Sequence, residues 1–305
     1  MNKTDFFELI KDRVLANLRN NDPSLDGAIQ QVTKINNLVY HGLSLRSESN
    51  NVSPMIYLDD FFNRYSEEDL SIDDIVTRVT EVYKKNIAGA QDIDVSSITD
   101  YGYVKTRIVP AICNFEKSSE YLKNKPHEEF CDLAVYYRIL VDISDGEGSI
   151  LISSQLMDTW GISYGELKEQ AWKNIHEFNP PTFSSMFDVL KEMMPGFDDS
   201  PFENDSDNNM HILSNKSRIN GAVYIADAKV LCDICDELDS DIILLPSSCH
   251  ELIILPYAMA ANPERWSEMA AMVSEINQST VSEEDFLADS VYCFTRESGT
   301  VKKVA

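Results

Sequence analysis

The sequence predicts an α+β protein with mixed, largely antiparallel sheets, built from hairpins and flanked by helices. Three observations carry this. Segments of helical and of strand periodicity are interleaved along all 305 residues. The links between successive strand-like runs are short and turn-forming: Asn36-Asn37, Asp145-Gly146, Ser247–His250 and Glu297-Ser298-Gly299. Such links join antiparallel neighbours, whereas a doubly wound parallel sheet needs long crossovers. Finally, hydrophobic residues make up 43% of the chain and aromatics 10%, enough to build a core rather than a disordered chain.

From the start of the chain, Phe6, Phe7, Ile10, Val14, Leu15 and Leu18 recur at helical spacing, so residues 4–19 read as an amphipathic helix that stops at Asn20-Asn21-Asp22-Pro23. "IQQVTKINNLVYHGLSLRS" alternates around Asn36-Asn37 and reads as a hairpin. "MIYL" is a short strand, and residues 58–65 a short helix. Residues 71–86 form a further helix. Ser71 is its cap, Asp73 and Asp74 sit at its positive end, and Ile72, Ile75, Val76, Val79, Val82 and Tyr83 form its stripe.

The middle is rich in β-branched and aromatic residues. "YVKTRIVPAIC", "FCDLAVYYRILVDIS" and "GSILISS" read as strands, with Pro110 marking an edge or a bulge. Ser163 and Glu166 complete a capping-box pattern for a helix over 163–178, with Leu167, Ala171, Ile175 and Phe178 facing inward. Pro180-Pro181 stops it, and "FSSMFDVLKEMM" reads as another helix.

Residues 197–208 hold five acids and no base among Pro, Ser and Asn, the composition of a surface loop or linker. This divides the chain into an N-terminal lobe (1–196), an acidic segment (197–208) and a C-terminal lobe (209–305). In the last of these, "MHILSN", "NGAVYIA", "DIILLPSS" and "HELIILP" read as strands. Residues 229–238, 263–277 (capped by Asn262, with Pro263 at the first helical position) and 282–288 read as helices, and "VYCFTRESGTVKKV" as a terminal hairpin.

The formal charge is −25 and is spread over the whole chain. Such a surface disfavours direct binding to nucleic-acid phosphates and to anionic membranes. The segment "MNKTDFFELIKDRV" meets charge at once, unlike a signal peptide, and no run approaches the roughly 18 apolar residues of a membrane span. A soluble cytoplasmic protein follows as the expectation. Its six cysteines are then expected to be reduced, most of them as small buried hydrophobes.

No phosphate-binding glycine loop, no H-E-x-x-H and no nucleophile elbow occurs. Cys232 and Cys235 form a C-x-x-C inside a predicted helix rather than at its start, which reads as core packing without metal. "DSDNNMHILSNK" begins like a calcium loop, but Met210 and Lys216 stand where glycine and glutamate are needed. That leaves "LLPSSCHELIILP", Leu244–Pro256. It reads as a hairpin whose central apolar strands carry a polar tip, with Ser247, Ser248, His250 and Glu251 as the candidate functional loop. If Cys249 and His250 lie in a strand, they point to opposite faces. In a turn, adjacent residues rarely bring the imidazole onto the thiol, and a second C-x-x-C is absent, so neither a Cys–His nucleophile pair nor a zinc site is expected, and no catalytic residue, metal or cofactor is assigned.

"SPMIYLDDFFNRYSEEDLSIDDIV", "GSILISSQLMDTWGISYGELKEQAWKN" and "LPSSCHELIILP" resemble, in this order and at long spacing, a family of bacterial proteins of unknown function common in anaerobic gut bacteria, over roughly residues 20–300. In that family a hydrophobic residue often stands at the position of Cys249, while Ser247-Ser248, His250 and Glu251 fit its pattern. The resemblance implies no activity. The functional expectation is therefore a soluble acidic binding protein, for a protein or small-molecule partner, without catalytic chemistry. The alternatives are a hydrolase-like enzyme with His250 and Glu251 in a cleft, and an acidic mimic of nucleic acid.

Overall fold

In the computed structural model of the chain, Phe6, Phe7, Ile10, Val14, Leu15 and Leu18 all lie on the buried face of helix α1 (Lys3–Leu18). The structure describes residues 1–48, 53–67, 69–90, 95–143, 146–194, 210–260 and 262–305. The chain divides into two compact units, one of Met1–Val104 with Leu140–Ile150 and one of Lys105–Ile139 with Leu151–Ala305.

In the first unit, β1 (Asp26–Thr33) pairs antiparallel with β2 (Val39–Arg46), from Asp26 opposite Arg46 to Thr33 opposite Val39. Asn36 and Asn37 make the turn at φ 58° and 52°, the left-handed region that asparagine tolerates better than most residues. Strand β3 (Met55–Tyr57) adds to the far side of β2. Helices α2 (Asp59–Ser66), α3 (Ile72–Ala90) and the single turn α4 (Tyr101–Val104) belong to the same unit. Ser71 caps α3 by accepting from the Asp74 amide at 3.2 Å, while the Asp74 carboxylate accepts from the Ser71 amide. The stripe of α3 is narrower than expected: Ile75, Val76, Val79 and Tyr83 are buried, but Val82 is exposed. Burial alone would raise the pKa of Asp59. The His41 amide at 2.6 Å, Lys3 at 2.8 Å and the His41 ring at 3.0 Å instead hold it below the ordinary value.

The second unit begins with β4 (Ile108–Asn114), buried along its whole length. The strand expected from Tyr103 starts five residues later, because residues 101–107 are helical turns. β5 (His127–Phe130) and β4 flank β6 (Leu133–Ile143), which runs on into the first unit and pairs there with β7 (Gly146–Leu151). The turn at Asp145 lies outside the described residues. Strand β4 is paired with β6 alone among the described strands, so the missing amide of Pro110 costs no ladder bond on its open side.

Helix α5 (Ser154–Trp160) ends on Gly161 at φ 68°. Helix α6 (Tyr164–Phe178) has the expected capping box of Ser163 and Glu166. Its inward face holds Leu167, Ala171, Asn174 and Ile175, whereas Phe178 is exposed. The next expected helix is partly strand: residues 181–185 form β8 (Pro181–Ser185), and only α7 (Met186–Met193) is helical. The acidic segment 197–208 and the start of the calcium-like stretch lie outside the described residues.

Then come β9 (His211–Asn215), α8 (Ala228–Leu238), β10 (Ile242–Leu245), β11 (Leu252–Pro256), α9 (Pro263–Thr280), β12 (Tyr292–Thr295) and β13 (Thr300–Lys303). The five strands among them and β8 form a six-stranded antiparallel sheet in the order β13-β12-β10-β11-β9-β8. Two expectations fail here. "NGAVYIA" is a buried 3-10 turn over Gly221–Ala226, not a strand. An apolar run of that length does not distinguish the two. Residues 282–288 make one turn on Ser282 and then extend, instead of forming a helix.

The hairpin of β10 and β11 forms as expected, with Leu245 opposite Ile253. Leu244, Leu245 and Ile254 are buried, but Ile253 is only half-buried, against a cluster of Leu255, Val273 and Trp266. Ile254→Ala is therefore expected to lower stability by about 2–5 kcal/mol, and Ile253→Ala by less. Denaturant melts of the two variants check this. A larger loss at Ile253 would mean that the strand presents its other face to the core.

Candidate functional site

The hairpin tip bends rather than continuing as strand, and this changes what its side chains can reach. Residues 249 and 250 lie in a bend, so Cys249 and His250 do not alternate across a sheet. Together with Asp285 they place one ligand-type atom each within 4.8 Å of the others. The expectation that adjacent residues in a turn rarely come together fails here: the bend brings the thiol and the imidazole to one carboxylate.

Backbone hydrogen bonds fasten the tip on two sides. On one side the segment 285–288 runs antiparallel to it. The Cys249 amide donates to the Asp285 carbonyl (2.8 Å), and the Leu287 and Ala288 amides donate to the carbonyls of Ser247 and Pro246 (3.0 Å each). Ser248 and Phe286 form a bridge. Two buried asparagines hold that segment: Asn114 of β4 donates to the Leu287 carbonyl at 3.0 Å, and Asn277 of α9 to the Ala288 carbonyl at 3.1 Å.

On the other side is the Gly221–Ala226 turn. The Gly221 amide and the Ser214 hydroxyl donate to the His250 carbonyl (3.0 and 2.8 Å), and the Ala222 amide to that of Cys249 (3.1 Å). The turn is itself anchored on α6, where the Tyr224 hydroxyl donates to the Asn179 carbonyl at 2.8 Å. Asn220, at φ 57°, aims its amide at Nδ1 of His250, 3.3 Å away. Glycine is needed at 221 because a Cβ there would lie 2.5 Å from Ser214 Oγ and 2.7 Å from the His250 carbonyl oxygen.

The side-chain chemistry follows. The Asn220 amide can only donate, so Nδ1 of His250 accepts and the ring proton sits on Nε2. Nε2–H then donates to Asp285 Oδ1 at 3.1 Å. The Cys249 thiol donates to the same oxygen at 3.9 Å. The other carboxylate oxygen accepts from Ser282 Oγ at 2.7 Å, and the Asp285 amide returns a bond to that hydroxyl at 3.1 Å. Burial pushes the Cys249 thiol up to about 12, the Asp285 carboxylate adds to this, and the Arg138 guanidinium pulls partly back.

Of the expected loop, His250 joins the cluster through its ring. Ser248 takes part through its hydroxyl, which accepts from the His250 amide at 3.2 Å, and Ser247 through its carbonyl. Glu251 is half-buried and outside the cluster. Cys232 and Cys235 lie in α8, Cys235 buried and Cys232 half-buried, and neither joins it. Sequence reasoning missed Asp285, Asn220, Gly221 and the two buried asparagines. The one local signal for Asp285 was Ser282 three residues before it. A serine followed three residues later by an acid is a pattern that opens helices, and here it closes a single turn.

A family profile described as a family of unknown function, DUF5688, matches residues 3–296, and the chain belongs to that family. Comparison with curated proteins and with solved structures gives no match.

Two outcomes follow from this packing. Gly221→Ala is expected to lower stability by about 1–3 kcal/mol, the usual cost of overpacking. A calorimetric melt checks it, and an unchanged Tm would mean that the tip is not held as described. Stability should also fall as pH rises from about 9 to about 12. The unfolded thiol ionises near 9.0, while the folded Cys249 stays protonated to about 12, so alkali favours the unfolded chain. Cys113 and Cys235, also pushed up to about 12, act in the same direction. Denaturant midpoints across that range read the effect, and Cys249→Ser should flatten part of the slope.

Proposed function

We propose that this member of the family is a soluble cytoplasmic bacterial protein that works by binding. Its centre is the Ser247–His250 tip closed by Asp285, and it makes no covalent intermediate through Cys249. One observation carries this reading: the carboxylate of Asp285 stands between the thiol and the imidazole and accepts a hydrogen bond from each. A cysteine nucleophile needs the reverse order, with the imidazole lone pair on the thiol and the carboxylate behind the imidazole. Here the lone pair of Nδ1 is engaged by the Asn220 amide, so it is not free to take the thiol proton.

The ligand chemistry follows from what the site offers. Thiol, imidazole and carboxylate are all lone-pair donors once their protons leave, and the chain around them carries a net charge of −25. A cationic or electron-poor ligand is attracted to such a surface, and nucleic-acid phosphates are repelled by it. No described helix is long and apolar enough to cross a membrane.

Site-resolved alkylation of the chelator-washed protein tests this reading. Cys249 should react with iodoacetamide more slowly at neutral pH than the exposed Cys131, and its rate should keep climbing above pH 9 instead of levelling off. Cys249→Ser should leave the Tm almost unchanged. Rapid alkylation of Cys249 at neutral pH would establish an activated thiol and overturn the reading.

A further inference from the structure

We propose that Cys249 Sγ, His250 Nε2 and Asp285 Oδ1 are three ligands of a divalent transition-metal ion of the zinc class, with a further coordination position open. This rests on the binding reading above and names its ligand.

The spacing fits. Metal–ligand bonds of about 2.0–2.3 Å in a tetrahedron set the donors roughly 3.3–3.8 Å apart. Asp285 Oδ1 lies 3.1 Å from His250 Nε2 and 3.9 Å from Cys249 Sγ, and one ligand atom from each of the three residues falls within 4.8 Å of the others. An ion between them asks for shifts of a few tenths of an ångström to about an ångström. The hydrogen bonds now joining the side chains are the interactions it would replace.

The donor set selects the metal. One thiolate, one imidazole and one carboxylate form a borderline-soft set that suits zinc and its first-row neighbours. Calcium and magnesium take oxygen donors almost exclusively. Charge also balances, since a thiolate and a carboxylate together offset the two positive charges of the ion. Three protein ligands with an open position is the count found where zinc meets an exchangeable ligand, whereas a closed structural site carries four.

Two proton movements accompany binding. The thiol proton leaves to solvent as the sulfur–metal bond forms. The imidazole proton moves from Nε2 to Nδ1 by way of solvent, because Nε2 must present its lone pair. Nδ1 then no longer accepts from the Asn220 amide, so the 3.3 Å contact opens. This change of tautomer is a signature that mere packing of His250 does not give. The surrounding backbone is already fixed by the bonds to residues 214, 221, 222 and 285–288, so little chain has to be ordered when the ion enters.

The test uses the full chain, washed with chelator and titrated with cobalt(II), then zinc. One equivalent of cobalt should bind per chain with the visible absorption of a near-tetrahedral ion and a near-ultraviolet sulfur-to-cobalt charge-transfer band, and zinc should abolish both. Nitrogen-edited NMR of the zinc form should show His250 protonated on Nδ1. Cys249→Ser should lose the charge-transfer band, and Asp285→Asn should weaken binding by at least about tenfold. Cys232→Ser with Cys235→Ser should leave the spectrum intact. Circular dichroism confirms that each variant is folded, and the wild-type spectrum alone can refute the site. Absence of the charge-transfer band in the wild type, or its persistence in Cys249→Ser, would overturn the metal proposal. If Cys249 then still alkylates slowly, the binding reading stands without its metal. Rapid alkylation of the chelator-washed protein would remove that reading as well.

Discussion

A half-buried loop between two central strands cannot leave its backbone to water, and this constraint shapes the site. Buried amides and carbonyls must find partners inside the protein or cost free energy comparable to a lost hydrogen bond. The β10–β11 ladder ends at Leu245 opposite Ile253, leaving Pro246 to Glu251 outside it. The partners come from two remote stretches, residues 285–288 and 220–222, and each brings a functional group with it. Asp285 arrives because its carbonyl accepts from Cys249, and the Asn220 amide because its neighbours bind the carbonyls of Cys249 and His250. The cluster is thus a consequence of backbone satisfaction.

The buried polar side chains are explained in the same way. Asn114, Asn174 and Asn277 are all less than a tenth exposed, and each donates its side-chain amide to a backbone carbonyl. Asn174 donates to the carbonyls of Lys105 and Ile108 at 2.8 Å each, which ties α6 to the start of β4. Asp132 plays the corresponding part at the β5–β6 turn. Burial would raise its pKa, but Lys303, Tyr292 and Ser290 all donate to it and hold it low. Truncating such a group leaves a buried partner unsatisfied, so these positions tolerate substitution poorly despite being polar.

Much of the fold was legible because local periodicity and turn chemistry agree with it. All six apolar positions assigned to the first helix are buried, the Ser163–Glu166 capping box forms, and the hairpins at Asn36-Asn37 and at Gly299, φ 59°, close where the turn residues stand. The misread segments share one property: they are short and apolar or short and polar, without a full period. Residues 221–226 and 282–288 are of this kind. Tertiary contacts set their conformation, the first packed against α6 and the second paired with the hairpin tip.

By itself the sequence determined the class of fold, the order of most of its elements, the acidity of its surface and the central hairpin with Ser247-Ser248-Cys249-His250 at its tip. Those features depend on neighbours within a few residues, or on composition. Only the tertiary structure decided that Cys249 and His250 face the same way, and that Asp285, thirty-five residues beyond His250, stands between them. The physical reason is the range of the interactions. A turn is written in its own residues, but the partner of a buried carbonyl can come from any strand or loop that folding brings beside it, and no spacing along the chain marks which.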